Sequence, residues 1–187
     1  MAYWHDTWSF QNSIEHEFKF AGKYGAKGEK RQKKKKPTPG QIAKQNQRNK
    51  ETRMRRTIKA NFAEKDLWCC CKYPEGVRLQ IEDVKKDKSR FLRILRREYE
   101  KRGSPLKWVA RLEIGERGGI HFHILVNRLW KSQSDILIAD AWSRALERSA
   151  LQSIRPGCRT EGLVDWASTY DSGGYKALAD YICKQPE

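Results

Sequence analysis

Residues 105–127, PLKWVARLEIGERGGIHFHILVN, constrain the fold more than any other part of this chain. Two runs rich in apolar and β-branched residues, about 107–114 and 120–126, flank GERGG, whose glycines supply the turn of a β-hairpin. The chain must therefore contain antiparallel sheet with at least one buried face. On a strand, residues i and i+2 face the same side, about 6.5–7 Å apart. His121 and His123 thus project together, while Phe122 and Ile124 turn to the opposite face. The chain has four histidines, at 5, 16, 121 and 123, and half of them share this one strand.

Two imidazoles on one face suit a shared divalent metal. The turn folds 107–114 back against 120–126, so a third ligand should come from the first strand. Glu113, lodged between Leu112 and Ile114, is the natural candidate; Glu116, in the turn itself, is the second choice. Two nitrogens and one oxygen leave positions open for water or a phosphate oxygen. Such a set also suits zinc, whereas a phosphate substrate favours magnesium or manganese.

The rest of the chain reads as elements around that hairpin. From residue 41, QIAKQNQRNKETRMRRTIKANFAE spaces Ile42, Met54, Ile58 and Phe62 among many basic residues, a basic helix over about 41–65. LWCCCKY (67–73) reads as a strand closed by Pro74-Glu75-Gly76. Residues 84–103 place Val84, Phe91, Leu92, Leu95 and Tyr99 on one helical face and stop at Gly103. Residues 133–148 read as a helix with Ile136, Leu137, Trp142 and Leu146 as its apolar set. GLVDWAS (162–168) is ambiguous between strand and turn. GGYKALADYICKQ (173–185) reads as a helix with Ala177, Leu178, Tyr181 and Ile182 inward. Such an order predicts an α+β domain over 41–187, with helices on one face of an antiparallel sheet.

Charge narrows the partner. The chain carries 39 Lys and Arg against 23 Asp and Glu, a net charge of +16. Residues 1–60 hold 16 of those basic residues and only 5 of the acidic ones. A surplus of this size points to a polyanion, of which nucleic acid is the commonest. KGEKRQKKKKPTPG (27–40) has no apolar side chain to bury, so residues 1–40 read as a flexible basic arm tracking phosphates. Lys33, Lys34, Lys35 and Lys36 belong to that arm; Arg53, Arg55 and Arg56 on the leading helix, and Trp68 and Lys72 by the first strand, extend the DNA-binding set. No apolar run approaches the ~18 residues that cross a bilayer, and MAYWHDTWSFQ has no signal-peptide pattern, so a cytoplasmic protein is expected. Adjacent strand residues point to opposite faces, so Cys69, Cys70 and Cys71 cannot offer converging thiolates. They read as small buried strand residues in a reducing compartment.

At the far end, YICK sets Tyr181 and Lys184 three apart, on one helical face. A tyrosine hydroxyl is a poor nucleophile at its usual pKa of about 10, which a nearby cation lowers. IHFHILV followed by YICK resembles the HUH endonucleases, more narrowly the replication initiators of rolling-circle plasmids and of single-stranded DNA phages and viruses. IKANFAEKDLWCCCKY matches the family's first strand motif in position, with cysteines where threonines are usual. LEIGERGGIHFHILVN is similar to its metal motif, including a Glu eight residues before the first histidine, and ALADYICKQ to its nucleophile motif. The similarity spans about 57–187.

The resemblance implies a central antiparallel sheet of about five strands, ferredoxin- or RRM-like, with the histidines on a middle strand. It also implies that Glu113, His121 and His123 hold magnesium or manganese, that Tyr181 attacks a phosphodiester in origin or hairpin single-stranded DNA, and that Lys184 stabilises charge. The product is a 5′-phosphotyrosine, and no nucleotide cofactor is needed. No GxxxxGK[ST] loop is present, so a helicase would be a separate, host- or element-encoded partner. Tyr175, about 120° around the helix from Tyr181, fits a second nucleophile poorly. Relaxases and single-strand transposases share this chemistry, and a non-catalytic basic binder stacking bases on Trp68 and Trp108 is the reading from another class.

Overall fold

A computed structural model describes residues 3–20, 36–129, 133–170 and 173–184. Its centre is a four-stranded antiparallel sheet of β3 (Leu67–Cys71), β4 (Trp108–Ile114), β5 (Ile120–Val126) and β6 (Val164–Ser168), in the order β4-β5-β3-β6. Four strands make up this sheet among the described residues, against an expected five or so. The GERGG turn is closed by Gly115 N–H donating to the Gly119 carbonyl at 2.8 Å and by Gly118 at a φ of 73°, which few side chains tolerate. It sets Glu113 opposite His121 and Arg111 opposite His123. The ambiguous GLVDWAS segment contains β6, paired to β3.

One sheet face presents Leu67, Cys69, Cys71, Phe122, Ile124 and Val126, all fully buried. Helices α2 (Ile81–Glu100) and α3 (Ser134–Leu146) cover it. All five apolar residues expected to face inward from α2 are buried. In α3 the inward set is Ile138, Ala141, Trp142, Ala145 and Leu146, while Ile136 is exposed, a stripe rotated from the expected one. Phe91, Phe122 and Trp142 meet edge to face with centroids 5.1–5.7 Å apart, the arrangement aromatic quadrupoles favour.

The other sheet face is covered too, which corrects the expectation of helices on one side only. Helix α1 (Pro39–Asn61) packs against α5 (Lys176–Cys183), and both lie over Leu125, Val109 and Trp68. Thr38 caps α1 in a capping box with Gln41, and Pro39 opens the helix. Ile58 and Phe62 reach the core, but Ile42 stands 47% exposed because the first turns extend beyond it. Between α3 and β6 lies the short α4 (Leu151–Ile154).

Residues 3–20 form a hairpin of β1 (Tyr3–Ser9) and β2 (Ile14–Phe20), two strands where the sequence reading places an unstructured arm. It sits on α1 through ion pairs: Glu15 with Arg55 (2.8 Å), Arg56 (3.2 Å) and Lys59 (2.9 Å), and Glu17 with Arg56 (2.9 Å). The Arg56 guanidinium also lies 3.5 Å over the Trp8 ring. Tyr3, Trp4, Ile14 and Phe18 are exposed, so no face of this hairpin is uniformly apolar and alternation does not advertise it.

Candidate metal and tyrosine site

Strand period and register gather the functional side chains on the face shared with α5. Three neighbouring strands contribute Cys70 from β3, Arg111 and Glu113 from β4, and His121 and His123 from β5. One carboxylate oxygen of Glu113, Oε2, lies 3.2 Å from His123 Nε2 and 3.8 Å from His121 Nε2. Tyr181, from α5, donates its hydroxyl to that same oxygen. Its ring stands edge-on to His123 at 5.4 Å. The expected acid, imidazole pair and phenol therefore converge.

Trp68 stacks on His123 with ring centroids 5.4 Å apart and planes 11° from parallel, and it takes the Tyr181 ring edge-on at 5.9 Å. It walls the site, so its His123-facing side is already covered. Trp108, the other aromatic assigned to bases, is 38% exposed on the opposite sheet face.

The electrostatics follow from these contacts. Chiefly the Tyr181 hydrogen bond, helped by the histidines and Arg111 against an opposing burial effect, holds the Glu113 carboxyl below its ordinary value. Burial first, then His121, lowers the His123 imidazole, which favours the neutral form a metal needs. Burial and the hydrogen bond to Glu113 push the Tyr181 phenol up to about 12.

Two residues absent from the expected set belong here. Arg111 places its guanidinium 5.1 Å from the Tyr181 ring and donates to the main-chain carbonyls of Tyr181 and Lys184, the latter at 2.8 Å. It thereby caps the C-terminus of α5, where a cation is favourable. Position i−2 from Glu113 on one strand is the signal that could have found it. Cys70 shares the face: its sulfur and one nitrogen each of His121 and His123 all lie within 4.8 Å of one another. Of the three consecutive cysteines only Cys69 and Cys71 are core residues, which corrects the reading of all three as buried.

The remaining expected residues scatter. Lys184 follows the last helical residue, with ψ at 131°, so the shared helical face with Tyr181 does not extend to it; its side chain is exposed. Tyr175 precedes α5 in left-handed conformation and is 4% exposed, packed with Ile58, Phe62 and Leu125. Glu116 is exposed in the turn. Arg55 and Arg56 face Glu15 and Glu17 rather than open solvent. Lys72 pairs with Asp165, Lys36 and Arg53 are exposed, and Lys33, Lys34 and Lys35 lie outside the described residues. A cleft of about 530 Å³ opens at His121, bordered by Lys72, Arg78, Arg117 and Glu116.

Among the described residues no helix is long and apolar enough to cross a membrane. Residues 66–186, more than half of the chain, match the family model of the replication-associated protein ORF2. No curated protein and no solved structure matches the chain.

Proposed function

The chain belongs to the replication-associated protein ORF2 family, and on that premise we propose that it initiates rolling-circle replication as an HUH-type single-tyrosine nickase. Its substrate is single-stranded DNA at an origin or hairpin, and it both cuts and rejoins the strand. The observation that carries this reading is the Tyr181 hydroxyl resting on Glu113, the carboxylate that also faces both histidines.

The donor set suits a divalent ion. His123 has one ring nitrogen, Nδ1, buried without a hydrogen-bond partner, and the other beside Glu113. Glu113, His121 and His123 would hold magnesium or manganese, which when bound supplies Lewis acidity toward the scissile phosphate. Tyr181 Oη attacks phosphorus; the bond to the 3′-oxygen breaks, and the 5′-phosphate stays as a tyrosine ester. The phenol proton has Glu113 as its acceptor, and the departing 3′-oxygen takes a proton from solvent. Arg111 steadies the end of α5 that carries Tyr181, and Lys184 adds positive charge at the same end. Residues 1–40 serve as the basic arm of the endonuclease domain 41–187, with Lys33, Lys34, Lys35, Lys36 and Arg53 contacting phosphates. The surplus of base suits that polyanion.

Incubation with manganese and a pool of labelled single-stranded oligonucleotides tests this directly. A protein–DNA band that survives a denaturing gel is expected from the native chain and not from Tyr181→Phe. An adduct from Tyr181→Phe, or none from the native chain on any oligonucleotide, refutes the assignment. Chelator should abolish the adduct; a purely non-catalytic binder would instead retain DNA in its presence and form no adduct.

A further inference from the structure

We propose that Cys70 is a ligand from β3 which, with His121 and His123, makes this site select thiophilic divalent cations, zinc foremost. The proposal rests on the metal-binding half of the reading above and deepens it by naming what sets ion preference. It is independent of whether Tyr181 cuts DNA.

The β3–β5 register places Cys70 directly opposite His123, so the thiol and the imidazole rise from adjacent strands on the same face. Cys70 Sγ and the histidine nitrogens lie within 4.8 Å of one another, a spacing one ion can bridge with small side-chain adjustments. Its neighbours Cys69 and Cys71 are fully buried on the opposite face and cannot take part. His123 is thus flanked by two strands of opposite character. Glu113 approaches from the β4 side with a hard oxygen donor. Cys70 approaches from the β3 side with a soft sulfur donor.

That division has a chemical consequence. Magnesium takes oxygen donors and gains little from sulfur, whereas imidazole and thiolate together favour zinc and its neighbours in the affinity order. A small apolar residue at position 70 would leave two imidazoles and a carboxylate. A cysteine turns the same pocket into a two-nitrogen, one-sulfur set that binds zinc in competition with manganese, the thiol proton leaving to solvent as the metal enters.

Cobalt(II) reports thiolate ligation through a near-ultraviolet sulfur-to-metal charge-transfer band and stands in for zinc. Titrating the full chain without DNA should produce that band, and stoichiometric zinc should bleach it. Cys70→Ser and Cys70→Ala should lack the band while keeping the native far-ultraviolet circular dichroism. Their zinc affinity should fall by at least the roughly 10–100-fold that losing even an outer-sphere partner costs, and their manganese affinity by less. A band that persists in both variants, or cobalt bound by the native chain without one, overturns the Cys70 assignment alone. Should neither cobalt nor manganese bind, the histidine pair is not a metal site and both readings fall.

Discussion

The Tyr181 phenol meets a carboxylate in the free protein, and that contact both aims its oxygen and holds its proton. With ionisation pushed up to about 12, Tyr181 at neutral pH is a hydrogen-bond donor and not an anion. The nucleophile is therefore stored in an unreactive form beside its own proton acceptor. Tyr175 differs in every respect that matters: it is buried, precedes the helix, and lies against Leu125 and not the histidines. Tyr175→Phe should retain covalent adduct formation on the denaturing gel that Tyr181→Phe loses; an adduct dependent on Tyr175 would mean the helix end rearranges on DNA. Arg111 joins the site through the chain's tail, donating to two carbonyls at the end of α5. Arg111→Met leaves those carbonyls without their charged donor and should cost roughly 1–3 kcal/mol in urea unfolding. Because Tyr181 hangs on that helix end, adduct formation should fall as well. Unchanged unfolding would show that the cap contributes nothing.

Elements differ in how openly the sequence displays them. The β4–β5 hairpin was legible because its turn glycines and its two alternating strands agree, and that agreement placed Glu113 opposite His121 in advance. Cys70 could not be assigned to the same face without knowing that β3 is the other neighbour of β5, a pairing between distant segments that no local pattern encodes. The second helical layer was hidden for a similar reason. In α1 only Ile58 is fully buried, since the sheet needs cover merely at one end. The β1–β2 hairpin is held to α1 largely by charge, and charge in a basic segment reads as solvation. Its clamp is Glu15. Burial alone would raise this carboxyl, but hydrogen bonds from Lys59 and Arg56 and the charge of Arg55 outweigh it and keep it below its ordinary 4.5. A carboxylate depressed in this way stabilises docking fully above its ordinary value and loses that contribution as pH falls through the folded one. Acidification should therefore release the hairpin first, visible as a shift of the Trp8 indole resonance before the aromatic core signals move. Glu15→Gln should show the released Trp8 signal already at neutral pH, a loss on the order of 1–2 kcal/mol for a partly buried charged contact. If Trp8 and the core melt together in both proteins, the hairpin and domain form one cooperative unit.

For the whole molecule, the surplus of positive charge decides how it finds its substrate while the small site decides what is done to it. Some of that charge is already engaged: Arg55 and Arg56 answer Glu15 and Glu17, and Lys72 answers Asp165. The count of basic residues thus overstates what the described residues leave for phosphates, and this was the part of the DNA-binding set the composition could not resolve. The lysine run at 33–36 is the densest remaining block of charge in the chain. Each phosphate contact on a single strand releases condensed counterion, so the affinity falls with salt by a logarithmic slope of roughly 0.7 per contact. Replacing Lys33, Lys34, Lys35 and Lys36 with alanine should reduce the magnitude of that slope by at most about 3, measured by fluorescence anisotropy of a labelled oligonucleotide across a salt series. The identity of the nicked sequence should not change, because none of these residues borders Tyr181 or the histidines in sequence. An unaltered slope would move the phosphate path to the basic cleft beside His121, where Lys72, Arg78 and Arg117 stand. A shifted cutting position would instead mean that the arm sets the register of the strand in the site.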